Sequence, residues 1–441
     1  MLIVLSIAIF IAIRQISKAK NLLFFSNLSV FLGVWAMIFF LYSLNLSVFP
    51  ELSWDLYFYL LTFFSFYIFV YIVFASAFQS SQRESTPVVH LVEGNSRFKR
   101  KLVGAAILSF AAWSIFFFLF LRSFGSVSGV IFFLTAGGAR KAISNSEGVS
   151  LTYYVFAYLF LIVAVLLLPH LTRIWKSVTY FCMLVVFVSL FMTAAKMNVI
   201  SASFLVYIIW FNRNNYGFSN FYRHSLFILV FGYIFIFAYS LFTGKVVDQS
   251  VGSAESFSDI LKFGKSGYLY PYEYLNSSLA ALDYTFNIPL KTDPSSLWGG
   301  YSFYSVYRIA AAFGLFSDTA ALPSQLYGFV QFGHVDTNVY SFFYDLIIDF
   351  GDVGALLFAF PHAMLHAFLD MREKRTSNVA FILLTNISKL TAFLSFVTFR
   401  YGDTIFVFVL AIWLLSLGWA AIGQRLNVNG GREGRNATGF Q

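Results

Sequence analysis

The stretch 151–171, LTYYVFAYLFLIVAVLLLPHL, runs without a charged residue. A helix crossing ~30 Å of hydrocarbon needs roughly 20 apolar residues, and this stretch supplies them. Comparable runs recur at 1–13, 22–45, 56–78, 102–121, 177–195, 197–211, 225–243, 339–369, 378–397 and 404–423. The expected fold class is therefore an all-α polytopic membrane protein with about eleven transmembrane helices. Composition agrees. Of 441 residues 59% are hydrophobic and 11% charged, against about 25% charged in a soluble domain.

Basic residues orient such a chain, because Lys and Arg accumulate in cytoplasmic loops. Clusters follow the first, third, fifth, seventh and ninth spans and close the chain, as in Arg97–Lys101 and at Arg372, Lys374 and Arg375. Only alternate loops carry them, which predicts the N-terminus outside and the C-terminus inside. Topology accounts for much of the net charge of +9, and no nucleic-acid partner is expected. The opening MLIVLSIAIFIAI lacks a basic n-region and a small-residue cleavage site, so it reads as a short first helix rather than a removed leader. Cys182 is the single cysteine and the six histidines are scattered. Neither a disulfide, a metal site nor a cofactor is expected.

The organisation that follows is 1–243, N-terminal transmembrane helices; 244–338, one large outer loop; 339–423, C-terminal transmembrane helices; and 424–441, a cytoplasmic tail. The loop is too long for an idle connection. Its Tyr-rich pieces, such as YLYPYEYL, predict short amphipathic helices lying on the outer membrane surface or capping a cavity. Several cations stay on the outer side despite the rule: Arg140, Lys196, Arg308 and Arg400 among them. Carboxylates gather there too. In HVDTNVYSFFYDLIIDFGDVG, Asp345, Asp349 and Asp352 recur at helical spacing and share one face. Carboxylates at a membrane edge are costly enough to suggest function. The stripe is expected to face the retained cations across a polar cavity.

The same stretch carries a resemblance. Asn338, Val339 and Tyr340, then Asp349, Phe350, Gly351 and Gly354, are similar to a motif of bacterial oligosaccharide repeat-unit polymerases, the Wzy-type O-antigen polymerases. Ser341 stands where that family usually has Thr, and Lys196 in MTAAKMN where it often has Arg. A late large loop with a Tyr-rich start is also similar. The resemblance implies a helical lipid-sugar glycosyltransferase at the periplasmic face of the inner membrane. It would transfer a growing glycan from undecaprenyl diphosphate to the terminal sugar of a new lipid-linked repeat unit. It further implies a chain-length regulator and a flippase as partners, beside membrane lipids.

Such transfer needs cations for the departing diphosphate and a base for the acceptor hydroxyl. Arg140, Lys196, Arg308 and Arg400 are the cation candidates. Solvated loop charges or snorkelling are their plainer readings. His334, Asp336 and Asp349 are the catalytic candidates, although Asp336 or Asn338 also suits a helix N-cap. Asn338, Tyr340, Tyr344, Asp345, Tyr270 and Tyr272 are the candidates for holding the glycan, and interfacial Tyr belts are the alternative. Asp345 and Asp349 could equally pair with Lys196, Lys389 or Arg400. Lys389, within a span, is expected to pair with a carboxylate inside the bundle. His362 and His366 are expected at the membrane interface. An O-antigen ligase is the nearest rival function, and a lipid-linked oligosaccharide flippase or other transporter the rival from another class.

Overall fold

The computed structural model describes residues 1–80, 96–123, 149–191, 196–214, 216–217, 220–221, 223–224, 230, 232, 234, 265–287, 299–312, 314–315, 330–332, 335–337, 341–374, 376, 378–397 and 403–418. In chain order the helices are α1 (Leu2–Ala19), α2 (Asn27–Ser43), α3 (Trp54–Ser80), α4 (Ser96–Ser123), α5 (Val149–Leu167), α6 (Arg173–Phe191) and α7 (Lys196–Arg213). Then come α8 (Lys265–Asn287), α9 (Tyr304–Ala312), the strands β1 (Val330–Phe332) and β2 (Val335–Thr337), α10 (Phe342–Leu357), α11 (Ala359–Glu373), α12 (Val379–Phe393) and α13 (Thr404–Gly418). The strands pair antiparallel, with Gln331 opposite Asp336.

Among the described residues six helices are long and apolar enough to cross a membrane: α1, α3, α4, α5 and α6, and α12 with the turn that continues it to Phe396. The protein is thus an almost entirely helical, membrane-embedded chain. Two shorter apolar helices, α2 and α13, accompany them. The expected span over 225–243 falls largely outside the described residues, and the tail 424–441 wholly so. The stretch 177–211 forms two helices, α6 and α7. The stretch 339–369, expected as one span, is broken. Helical geometry fails at Gly351 (φ +69°, ψ 176°), a backbone region that only glycine enters without strain.

Local chemistry sets the helix ends. Asn21 adopts positive φ just past α1, where the Leu22 amide donates to the Ser17 carbonyl and the Asn21 amide to that of Lys18. That is a Schellman closure, with asparagine in the left-handed role. Ser26 and Ser29 reciprocate at the start of α2, each side chain accepting from the other's amide. Asn378 caps α12 through the Ala380 and Phe381 amides.

The most extensive helix pairs are α4 with α5, α3 with α11 and α1 with α2. Aromatic rings interlock the first of these; Phe116 stacks on Phe156 with centroids 5.6 Å apart. At the centre, Phe31, Trp35, Phe63, Phe64, Phe342 and Phe343 are all buried and in ring contact. α12 runs beside α2, α11, α7 and α5, and Trp35 Nε1 donates to Ser395 Oγ at its far end, 3.0 Å away.

The large loop departs from expectation. α8 is a 23-residue helix rather than a short surface piece. Its middle, Asn276 to Asp283, is buried against α2, α10 and β2. The run SSLAAL explains this, because small side chains let a helix approach its neighbours closely.

Candidate functional site

The acidic stretch 345–352 becomes three different environments. Asp345 lies in the first turn of α10 and is 2% exposed, a place where the helix dipole favours a carboxylate. Asp349 is half-buried and its two oxygens are occupied: Oδ1 accepts from the Tyr301 amide at 3.1 Å and Oδ2 from the Ser302 amide at 2.6 Å. Asp352 follows the break at Gly351 and is exposed. The expectation of one continuous acidic face is corrected here: the break at Gly351 separates the third carboxylate from the helical turns that carry the first two.

Around Asp349 the rest of the DFGDVG sequence has a visible purpose. Gly299 has φ +72°, and a Cβ there would meet Phe303 at 2.9 Å and Phe350 at 3.3 Å. Phe303 and Phe350 pack edge to face, centroids 6.4 Å apart. At Gly354 a Cβ would come within 2.6 Å of the Phe350 Cβ. Asp349 and Phe350 together therefore hold the 299–303 turn, which leads directly into α9. Tyr301 sits close to both carboxylates. Burial first, then Asp349 and Asp345, push its phenol above the ordinary tyrosine value, so it stays a hydrogen-bond donor at neutral pH.

The loop helix α8 is fixed to the α2–α3 connection by polar contacts. The Tyr272 hydroxyl accepts from the Leu46 amide at 3.1 Å, and Glu273 Oε1 accepts from Ser47 Oγ at 2.6 Å. Asp283 accepts from both the amide and the hydroxyl of Ser53, while Ser53 Oγ accepts from the Leu56 amide in the first turn of α3. Tyr272 is 8% exposed, so its ring packs inside rather than standing open to a sugar.

A second polar region runs along α11. Asp370 accepts from the Asn27 and Leu28 amides at 2.7 and 3.1 Å, from the Asn27 side chain at 2.8 Å and from the Tyr71 hydroxyl at 2.9 Å. Lys389, 0% exposed, pairs with Glu373, the intrabundle carboxylate partner expected for it. His362 and His366 are fully buried on α11 beside Phe31, Phe342 and Tyr67. They are buried inside the bundle rather than exposed on its surface. Their spacing gave no warning, because apolar residues surround them on either reading.

Of the remaining candidates, Tyr344 is buried in the first turn of α10. Lys196 opens α7, Arg308 lies in α9, Tyr270 in α8 and Asp336 in β2. Arg140, His334, Asn338, Tyr340 and Arg400 lie outside the described residues. Among the described residues no three His, Cys, Asp or Glu side chains cluster so as to hold a metal. Sequence reading missed the 299–302 turn, whose signal was the Gly299–Gly300 pair, and it missed Asp370 and Tyr71 altogether. No protein-family model, curated protein or solved structure matches this chain.

Proposed function

We propose that the chain is a glycosyltransferase of the O-antigen polymerase type, working at the periplasmic face of the bacterial inner membrane with its N-terminus out and C-terminus in. The acceptor sugar hydroxyl attacks the anomeric carbon of the donor glycan. The bond from that carbon to the diphosphate breaks, the hydroxyl proton passes to a base, and undecaprenyl diphosphate leaves. Positive charge near the departing diphosphate supplies the larger part of such catalysis.

The observation that carries this reading is the Asp349 clamp. It joins α10, which holds the motif carboxylates, to the turn that starts α9, which holds Arg308. A motif carboxylate and a retained outer cation thus belong to elements fastened together. In this reading Asp349 is a positioning residue, Arg308, Lys196, Arg140 and Arg400 serve the diphosphate, and His334 or Asp336 takes the proton. The flippase reading draws support from a different observation, the ionisable groups buried along α11 and α12.

A deletion strain distinguishes the readings. Single-repeat surface glycan is the expected phenotype and supports polymerisation. Loss of all ligated glycan means a ligase, and lipid-linked repeat units retained on the cytoplasmic side mean a flippase. In a complemented strain, Arg308→Ala, Arg400→Ala and Lys196→Ala are expected to shorten the glycan chains. Unchanged chain length in all three, at equal expression, removes the proposal that these cations serve the diphosphate.

A further inference from the structure

Glycosyl transfer leaves unused a series of buried ionisable side chains along α11. His362 and His366 stand one turn apart on α11, 2% and 0% exposed, with ring centroids 4.3 Å apart. Phe31 of α2 and Phe342 of α10 lie against His362 at 4.6 and 5.1 Å. The Tyr67 hydroxyl of α3 meets His366 Nδ1 at 2.5 Å. One turn on, Asp370 accepts from Tyr71, and at the helix end Glu373 pairs with Lys389 of α12. Among the described residues, Arg372 of α11, over the Phe368 ring, and Lys374, close to Glu373, complete the titratable and charged groups at this end of the helix. α2 contributes Asn27 and Phe31, and α10 contributes Phe342, with Asp345 as its nearest carboxylate in sequence.

We propose that His362 and His366, with Tyr67, form a proton-binding centre that closes the α3–α11 seam while neutral and loosens it, with the adjoining start of α10, on taking up a proton. The step is simple in its balance. A proton from water joins the lone pair of an imidazole nitrogen, and no other bond changes. When Tyr67 donates to a bare Nδ1, protonation there turns that nitrogen into a donor, so the hydroxyl must rotate to accept. An imidazolium in the closed packing would be cut off from water, since both side chains are at most 2% exposed, and two would repel at this separation. A loosened seam admits water, which solvates the charge. Protons therefore bind the open state, and acidification through the ordinary histidine range favours it. Phe342 passes the change to α10, the helix that bears Asp345 and Asp349. The inference does not depend on glycosyl transfer.

Hydrogen exchange on the full chain in nanodiscs tests it, with protection factors for 342–350 and 359–373 corrected for the intrinsic rate at each pH. Protection is expected to be level from pH 8 to 7 and then to fall, by up to tenfold per pH unit for each proton taken up, below about pH 6.5. His362→Gln with His366→Gln is expected to abolish that fall. Protection constant from pH 8 to 5 in the wild type overturns the proposal, and so does a double variant that keeps the wild-type slope. Should the double variant not fold, His366→Gln alone carries the comparison: a shallower slope supports the centre and an unchanged slope overturns it.

Discussion

Asp349 shows how much one carboxylate can organise. Both oxygens accept from backbone amides of a segment some 50 residues earlier in the chain, at 3.1 and 2.6 Å. Asp349→Asn preserves shape but turns an NH2 group toward one of those amides. Hydrogen bonds to charged groups contribute about 1.5–3 kcal/mol each. A loss of stability of about that size is expected in thermal unfolding of the purified protein, together with shortened glycan in a complemented strain. A variant as stable as the wild type would mean the clamp is not formed. The glycines of the motif make a second prediction. Gly351→Ala would place a side chain at φ +69°, ψ 176°, which costs about 1–3 kcal/mol, and Gly354→Ala collides with the Phe350 Cβ. Both are expected to lower the unfolding temperature. Gly33→Ala in α2, where a Cβ meets open space, is expected to leave it unchanged or raise it. At this scale the sequence singled out the acidic stretch 345–352 but not the partners of its side chains. The i, i+4, i+7 spacing of Asp345, Asp349 and Asp352 assumes a continuous helix, and nothing in periodicity announces that Gly351 interrupts it.

For whole elements, α8 is the informative case. A Tyr-rich amphipathic stretch beside a membrane fits equally a helix lying on the surface and one inserted among others. What decides is the complementary polar chemistry of a distant connection: Leu46, Ser47 and Ser53 present an amide and hydroxyls where α8 presents Tyr272, Glu273 and Asp283. Those partners lie more than 200 positions apart in sequence, beyond the reach of any local pattern. The arrangement predicts coupling. Ser53→Ala and Asp283→Ala remove the same capping unit of α3, so their effects should be strongly non-additive, with an interaction of about 0.5–3 kcal/mol in a double-mutant cycle. Additive losses would show that the two side chains act separately. In either single variant, amide exchange should quicken in both α8 and the first turns of α3, because each holds the other in place.

At the scale of the whole molecule, long apolar helices were the most legible feature, since lipid leaves a stretch such as 151–171 so few alternatives. How the helices meet was less legible, because lipid-facing and buried apolar faces are both made of Phe, Leu and Ile. Exposed Trp175, Phe181 and Leu184 on α6 and buried Phe31 and Phe63 in the centre look alike as sequence. Ionisable residues break that degeneracy, since a charge inside a bundle must find its partner. Lys389 is the clearest instance: placed in the middle of an apolar run, it implied a carboxylate, and Glu373 supplies it where α11 ends and α12 passes alongside. The pair therefore ties the end of α11 to the interior of α12, about three turns beyond the connection between them. Breaking such a pair from one side leaves an uncompensated buried charge at a cost of about 3–5 kcal/mol, whereas replacing both partners with neutral groups of similar volume is often near neutral. Lys389→Met alone should sharply lower the unfolding temperature and the yield of folded protein in the membrane. Lys389→Met combined with Glu373→Gln should recover most of both. A double variant no better than the single one would mean that the two helices are held by the charge pair itself, and not merely burdened by an unpaired carboxylate when the lysine is lost.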